Sequence, residues 1–235
     1  MKKLDILVFG AHPDDVELGC GGTIIKHVKL GYKIGVIDLT QGELGTRGNK
    51  ELRKTEAENA ASVLQVSFRE NLQLRDGFFE ISEENKLKII QKIRQFQPDI
   101  VITNAFTDRH IDHGRASTLV SESCFLSGLA KIETENQTAW RPKAVYHYIQ
   151  DRYIKPDFIV DISDEFEEKM KAINCFESQF YNPNSKEPTT PISGESFLQF
   201  VESRAVEFGR TINAKYGEGF CVERTIGVSD ILSLK

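Results

Sequence analysis

The chain has 235 residues, of which 40% are hydrophobic and 28% charged; at about 150 residues per domain, one domain with extra terminal elements fits this length. The composition excludes a disordered, collagen-like or coiled-coil chain. Thirty Lys and Arg against 35 Asp and Glu leave a net charge of −5, which argues against a nucleic-acid partner, because no excess of cations is available to neutralise phosphates.

Ile6-Leu7-Val8-Phe9 is a short continuous apolar run, as expected of a strand buried on both faces. The pattern then predicts a helix over 16–30 ended by Gly31, a strand over Ile34 to Leu39, and a helix over 50–65 that turns Leu52, Ala60, Ala61 and Leu64 to the core. A weaker strand follows over Val66 to Leu72. In 83–97 the residues Leu87, Ile90, Ile93 and Phe96 recur every three positions, giving a helix with one apolar face that Pro98 stops. Ile100-Val101-Ile102 reads as another buried strand, and 113–130 as a helix. This βαβαβαβα order predicts an α/β fold: a Rossmann-like parallel sheet in a three-layer sandwich.

The second part is less regular and adds C-terminal strands and helices. Ala144 to Ile149 and Phe158 to Ile162 read as strands. Ser163 or Asp164 is placed to cap a helix with Phe166, Met170 and Ile173 on its buried stripe. Residues 181–194 carry Pro183, Pro188 and Pro191 among Asn, Ser and Thr, and form a long loop of the kind that serves as a lid or wall. A final helix spans 195–216, followed by Gly217-Glu218-Gly219-Phe220. With neither repeat nor low-complexity linker, residues 1–235 read as one domain.

No signal-peptide h-region and no apolar run of membrane-spanning length is present, so a cytoplasmic protein without a membrane partner is expected. Cys20, Cys124, Cys175 and Cys221 are far apart and form no Cys-x-x-Cys, as reduced thiols would be.

Two segments carry chemistry. Ala11-His12-Pro13-Asp14-Asp15-Val16-Glu17 directly follows the first strand, where open parallel sheets bind ligands. His12 and Asp15, three apart across a tight turn, suit Zn²⁺ or another divalent metal such as Fe²⁺. The bland alternative is that Asp14 and Asp15 only cap the following helix. Thr107-Asp108-Arg109-His110-Ile111-Asp112-His113 holds the equivalent place after the Ile100-Val101-Ile102 strand. It offers a third ligand, His113 or alternatively His110. Two histidines and a carboxylate are the open arrangement of a catalytic metal. Asp14 is then placed to accept a proton from attacking water, His110 as imidazolium to stabilise an oxyanion or protonate a leaving amine, and Asp112 to orient His110 and raise its pKa. Amide hydrolysis is the implied reaction. Gly10 precedes His12-Pro13 instead of a second glycine, so no dinucleotide fingerprint is present. Of the other histidines, His27 reads as solvated and His147 as a satisfied structural residue, and Trp140 as a packing anchor. A metal- or sugar-binding protein without turnover is the competing class, and the spare Asp14 and His110 argue against it.

The pair of segments 11–17 and 109–113 resembles the LmbE-like, or PIG-L, family of zinc-dependent N-acetylglucosaminyl deacetylases. Asp38-Leu39-Thr40, Glu51-Leu52-Arg53, Asp161-Ile162-Ser163, Glu177-Ser178-Gln179-Phe180 and Gly217-Glu218-Gly219-Phe220 resemble its bacillithiol-biosynthesis branch. That resemblance implies hydrolysis of N-acetylglucosaminyl-malate, with diacetylchitobiose or another N-acetylglucosaminyl conjugate as the alternative. It implies His12, Asp15 and His113 as zinc ligands and Asp14 as general base. It also implies His110 in transition-state stabilisation with Asp112 behind it, Arg53 and Arg109 on substrate, and a homo-oligomer, a hexamer being one form. Two guanidiniums suit the two malate carboxylates; for Arg53 an ion pair with Glu56 on the same helix is the bland alternative. Some relatives carry a tyrosine where this chain has Phe197.

Overall fold

A computed structural model describes residues 3–233. Seven strands form one sheet in the order β3-β2-β1-β4-β5-β7-β6. In chain order the elements are β1 (Ile6–Gly10), α1 (Asp15–Lys29), β2 (Ile34–Thr40), α2 (Lys50–Leu64), β3 (Phe68–Leu74), α3 (Glu83–Phe96) and β4 (Ile100–Asn104). They continue with α4 (Ile111–Leu126), β5 (Ala144–Tyr148), β6 (Phe158–Asp161), α5 (Phe166–Asn174), α6 (Glu195–Thr211) and β7 (Gly217–Val222). Strands β1 to β5 run parallel, whereas β7 is antiparallel to both β5 and β6.

The alternation of side chains along β1 builds both sides of the sandwich. Leu7 and Phe9 join Ile89, Ile93, Leu119 and Val120 under α3 and α4. Ile6 and Val8 face the other way, with Val16, Ile24, Leu64 and Ala172 from α1, α2 and α5. Gly19 on α1 lies so close to the Tyr148 ring that a Cβ there would meet it at 2.1 Å, so the small residue sets the helix–sheet distance. The expected α/β sandwich is what the chain forms.

Four expectations need correction. The end of the chain supplies a strand, β7, which inserts between β5 and β6 and makes the sheet mixed. Leu52 is 43% exposed, because α2 turns Arg53, Glu56, Ala57, Ala60 and Leu64 inward instead. Helix α5 starts after Glu165 with no side-chain cap, and Ser163 instead donates its hydroxyl to Asp161 Oδ1 at 2.6 Å. His27 is half-buried, with Nδ1 at 2.8 Å from the carbonyl of Thr23.

The chain leaves β1 toward β2 and β3, then crosses back to place β4 on the other side of β1. The C-terminal ends of β1 and β4 therefore flank the point where the strand order reverses, where open α/β sheets bind ligands. Both chemistry-bearing segments sit there.

Candidate active site

The turn after β1 is pinned before any side chain reaches out. The N–H of Ala11 donates to Asn104 Oδ1 at 3.0 Å, and Thr40 Oγ1 donates to the Ala11 carbonyl at 2.9 Å. Asp14 then takes φ 115°, ψ −26°, a left-handed conformation that a residue with a Cβ rarely adopts. Its carboxylate caps no helix N–H, so helix capping does not account for it. Asp14 is buried on the wall of a cavity of about 270 Å³. Burial pushes its pKa up to about 7, against the pull of the Arg53 guanidinium, whose Nη2 lies 3.0 Å from Asp14 Oδ2.

Asp15 is the hub. Its carboxylate accepts the His12 N–H at 3.0 Å, Asn104 Nδ2 at 3.1 Å and Gln150 Nε2 at 2.9 Å. Two imidazoles converge on it: His113 Nε2 at 3.1 Å and His12 Nδ1 at 3.5 Å. The far nitrogen of each ring is backed by carboxylate. His12 Nε2 lies 3.0 Å from Asp76 Oδ1 and 3.3 Å from Asp112 Oδ2, and His113 Nδ1 lies 2.8 Å from Asp108 Oδ2. Burial opposes protonation of both rings, but the surrounding carboxylates prevail. Asp112, Asp15 and Asp76 hold His12 well above the usual imidazole range, and Asp15 with Asp108 lifts His113 to about 9. Burial would raise the Asp15 carboxyl, yet the same histidines hold it well below the usual range.

Nitrogens of His12, His110 and His113 lie within 4.8 Å of one another, as do His12, Asp76 and Asp112 side-chain ligand atoms. Buried imidazoles and carboxylates facing one cavity, each ring oriented from behind, are the donor set of a divalent-metal site. His12 and His113 share the first of these groups with His110, and Asp15 lies against both rings through different oxygens, Oδ2 toward His12 Nδ1 and Oδ1 toward His113 Nε2.

Residues 7–124 match the GlcNAc-PI de-N-acetylase (PIG-L) family. The chain belongs to the PIG-L family. Diacetylchitobiose deacetylase of Thermococcus kodakarensis is 28% identical over 225 residues, 91% of this chain and 81% of that protein. A conserved protein of Thermus thermophilus of known crystal structure superposes with a TM-score of 0.86 at 32% identity, over 96% of this chain and 98% of the other. The N,N'-diacetylchitobiose deacetylase of Pyrococcus horikoshii does so with a TM-score of 0.79 at 28% identity, over 92% and 82%. A probable N-acetyl-alpha-D-glucosaminyl L-malate deacetylase 2 of Bacillus anthracis is more distant, 23% identical over 188 residues, 74% of this chain and 81% of that protein.

In this PIG-L-family cavity the structure brings together His12, Asp14, Asp15, Arg53, Arg109, His110 and His113. Asp112 stands behind them, and its role differs from the sequence expectation. Its carboxylate takes the Gly77 N–H at 2.8 Å, Arg115 Nη1 at 2.6 Å and His12 Nε2, so it backs His12. Only the Asp112 backbone N–H meets His110, at Nδ1, 3.2 Å away. Burial and the charges of His12 and His113 lower the His110 pKa, outweighing Asp112. That argues against the expected imidazolium.

Arg53 lines the cavity but spends Nη2 on the Pro13 carbonyl and Asp14, while Glu56 accepts from Ser178 N and Oγ. Arg109 pairs with Asp151 at 2.9 Å. Thr190, Pro191 and Ile192 of the proline-rich loop form part of the wall beside Phe197. Sequence reasoning missed Asp76, Asn104, Asp108 and Gln150. Asn104 carried a usable signal, a polar residue closing an apolar strand beside the second motif. Asp76 did not, since Arg75-Asp76-Gly77 reads as an ordinary turn.

Proposed function

We propose that this PIG-L-family protein is a metal-dependent N-deacetylase of N-acetylglucosaminyl compounds, converting the acetamide and water to acetate and an amine. The observation that carries this reading is Asp14: a buried carboxylate, unspent on capping, on the cavity wall beside the converging His12, Asp15 and His113. Zinc is the metal proposed, and when bound it supplies Lewis acidity toward an amide carbonyl and activates water.

The chain's own groups account for the remaining chemistry. Asp14, whose pKa near 7 suits a general base, accepts the proton of the attacking water and can return it to the departing amine nitrogen. Arg53 holds that carboxylate toward the cavity. Because His110 Nδ1 accepts the Asp112 N–H, its ring proton sits on Nε2. His110 therefore acts as a neutral hydrogen-bond donor to the developing oxyanion. Asp76 and Asp112 fix His12, as Asp108 fixes His113.

The substrate reading favours neutral sugars. N-Acetylglucosaminyl-malate would place two carboxylates near Arg53 and Arg109, yet both guanidiniums already face carboxylates, Asp14 and Asp151. The likeness to diacetylchitobiose deacetylase across 91% of the chain supports the neutral class. The test is acetate release from diacetylchitobiose, N-acetylglucosamine and N-acetylglucosaminyl-malate, before and after chelation and after zinc is restored. The expected result is zinc-dependent release, faster from the neutral sugars. Zinc binding with no release from any of them would instead mark a sugar- or metal-binding protein without turnover.

A further inference from the structure

Asp108 is buried, touches none of the reacting groups in the chemistry above, and is shared between two tasks, backing His113 and holding a loop. Its Oδ1 accepts the backbone N–H of Arg109 at 2.8 Å and of Arg152 at 2.7 Å. Its Oδ2 faces His113 Nδ1 at 2.8 Å, with the Asp151 N–H at 3.4 Å. The carboxylate thus ties the loop after β4 to residues 151–152, and Asp151 lines the cavity. The division between the two oxygens has a chemical consequence. Two short backbone donors own Oδ1, so only Oδ2 is available to the ring, and a carboxylate oxygen can only accept. Both ring nitrogens face a carboxylate, but Asp108 is the nearer, at 2.8 Å against 3.1 Å to Asp15, so when one proton is left on the ring this contact favours it on Nδ1. The lone pair is then on Nε2, the atom that faces Asp15 at 3.1 Å.

We propose that Asp108 is a positioning residue that fixes the His113 tautomer, and that this makes His113 competent to bind a metal through Nε2. The inference rests on the metal-dependent reading above. Asp108→Asn isolates the effect. The Arg109 and Arg152 N–H groups keep the amide oxygen at the Oδ1 position, so the new NH₂ faces His113 Nδ1. The ring must then accept at Nδ1 and carry its proton on Nε2, which blocks the metal-facing atom. The loop anchors at Oδ1 survive the change.

The test is calorimetric titration of chelator-stripped protein with Zn²⁺ at neutral pH, for wild type and Asp108→Asn, with circular dichroism as the check on folding. Removing such a ring partner costs about 10- to 100-fold in metal affinity, and a loss of that size at unchanged fold supports the role. Wild type that binds zinc while Asp108→Asn binds within about threefold of it overturns this inference alone. Wild type that takes up no zinc overturns the metal-dependent reading and this inference together. Should Asp108→Asn fail to fold, the wild-type zinc form decides the matter by long-range ¹H–¹⁵N correlation of the His113 ring. A protonated Nδ1 and an unprotonated Nε2 support the role, and the reverse pattern overturns it.

Discussion

His113 and His147 are both buried, and both have each ring nitrogen partnered, with a carboxylate on at least one of them. His147 sits on β5 with Nδ1 2.9 Å from Ser117 Oγ and from the Asn104 carbonyl, and Nε2 3.0 Å from Glu223. His113 has Asp108 on one nitrogen and Asp15 on the other. What separates them is where the second nitrogen points. His147 closes a local network against the Phe106 ring and borders no part of the site cavity. His113 opens onto that cavity and meets a carboxylate that a second imidazole also approaches. Satisfied hydrogen bonds therefore do not separate a structural histidine from a functional one, but convergence of ligand atoms on shared space does.

That contrast can be broken by mutation. His113→Ala is expected to abolish zinc uptake and to lower acetate release by at least about 10³-fold, and retained zinc would remove the distinction. Asp14→Asn should keep zinc while kcat falls about 10²- to 10⁴-fold; near-normal turnover would remove the assigned base. His147→Ala should do the opposite, lowering unfolding free energy by about 3 kcal/mol by leaving buried partners unpaired, with zinc affinity unchanged. Denaturant unfolding and zinc titration on the same samples check both halves. The smallest effect is expected at Arg109→Ala. Its partly exposed pair with Asp151 is worth about 1 kcal/mol or less, and KM for diacetylchitobiose should move only a few-fold.

The pH response sharpens the same contrast. In the metal-free protein the His113 pKa is raised to about 9 from 6.5. Its contribution to stability is fully present below about pH 6.5 and is lost as pH rises through about 9. Asp14 acts in the same direction: with its pKa raised to about 7, the folded state binds the proton more tightly than the unfolded one, and stability falls as that proton leaves. Thermal unfolding of chelated protein should therefore weaken from pH 6 to 9.5. Zinc affinity should strengthen across the same interval, because the ligands no longer have to shed protons. The pH trend in stability should persist in His147→Ala and flatten in His113→Ala.

The parallel half of the fold was legible because its strands are continuous apolar runs and its helices carry apolar faces. Both site motifs were legible because each follows such a strand. β7 was not legible, for a reason the packing shows. Gly217-Glu218-Gly219 looks like a loop, yet Gly219 is small because a Cβ there would meet the Phe208 ring at 2.8 Å. Glu218 points inward to Lys169 at 2.6 Å and accepts the Gly22 and Thr23 N–H groups where α1 kinks at Cys20. Leu52 misled because α2 buries charges: Arg53 serves Asp14 and Glu56 serves Ser178. Asp76 and Gln150 reach the site from other loops, so no local spacing announces them. The reading of Asp112 failed for a related reason, since its neighbour in sequence is His110 but its carboxylate is committed to His12, Gly77 and Arg115.

The central claim is that the cavity joins a metal site to a separate base. Its most direct test measures zinc content and acetate release on the same preparation of wild type and Asp14→Asn, with diacetylchitobiose as substrate. The account predicts about one zinc ion per chain in both proteins, with release in wild type that chelation abolishes and little release in the variant. Release that survives complete removal of the metal, or equal release by the two proteins, would contradict it.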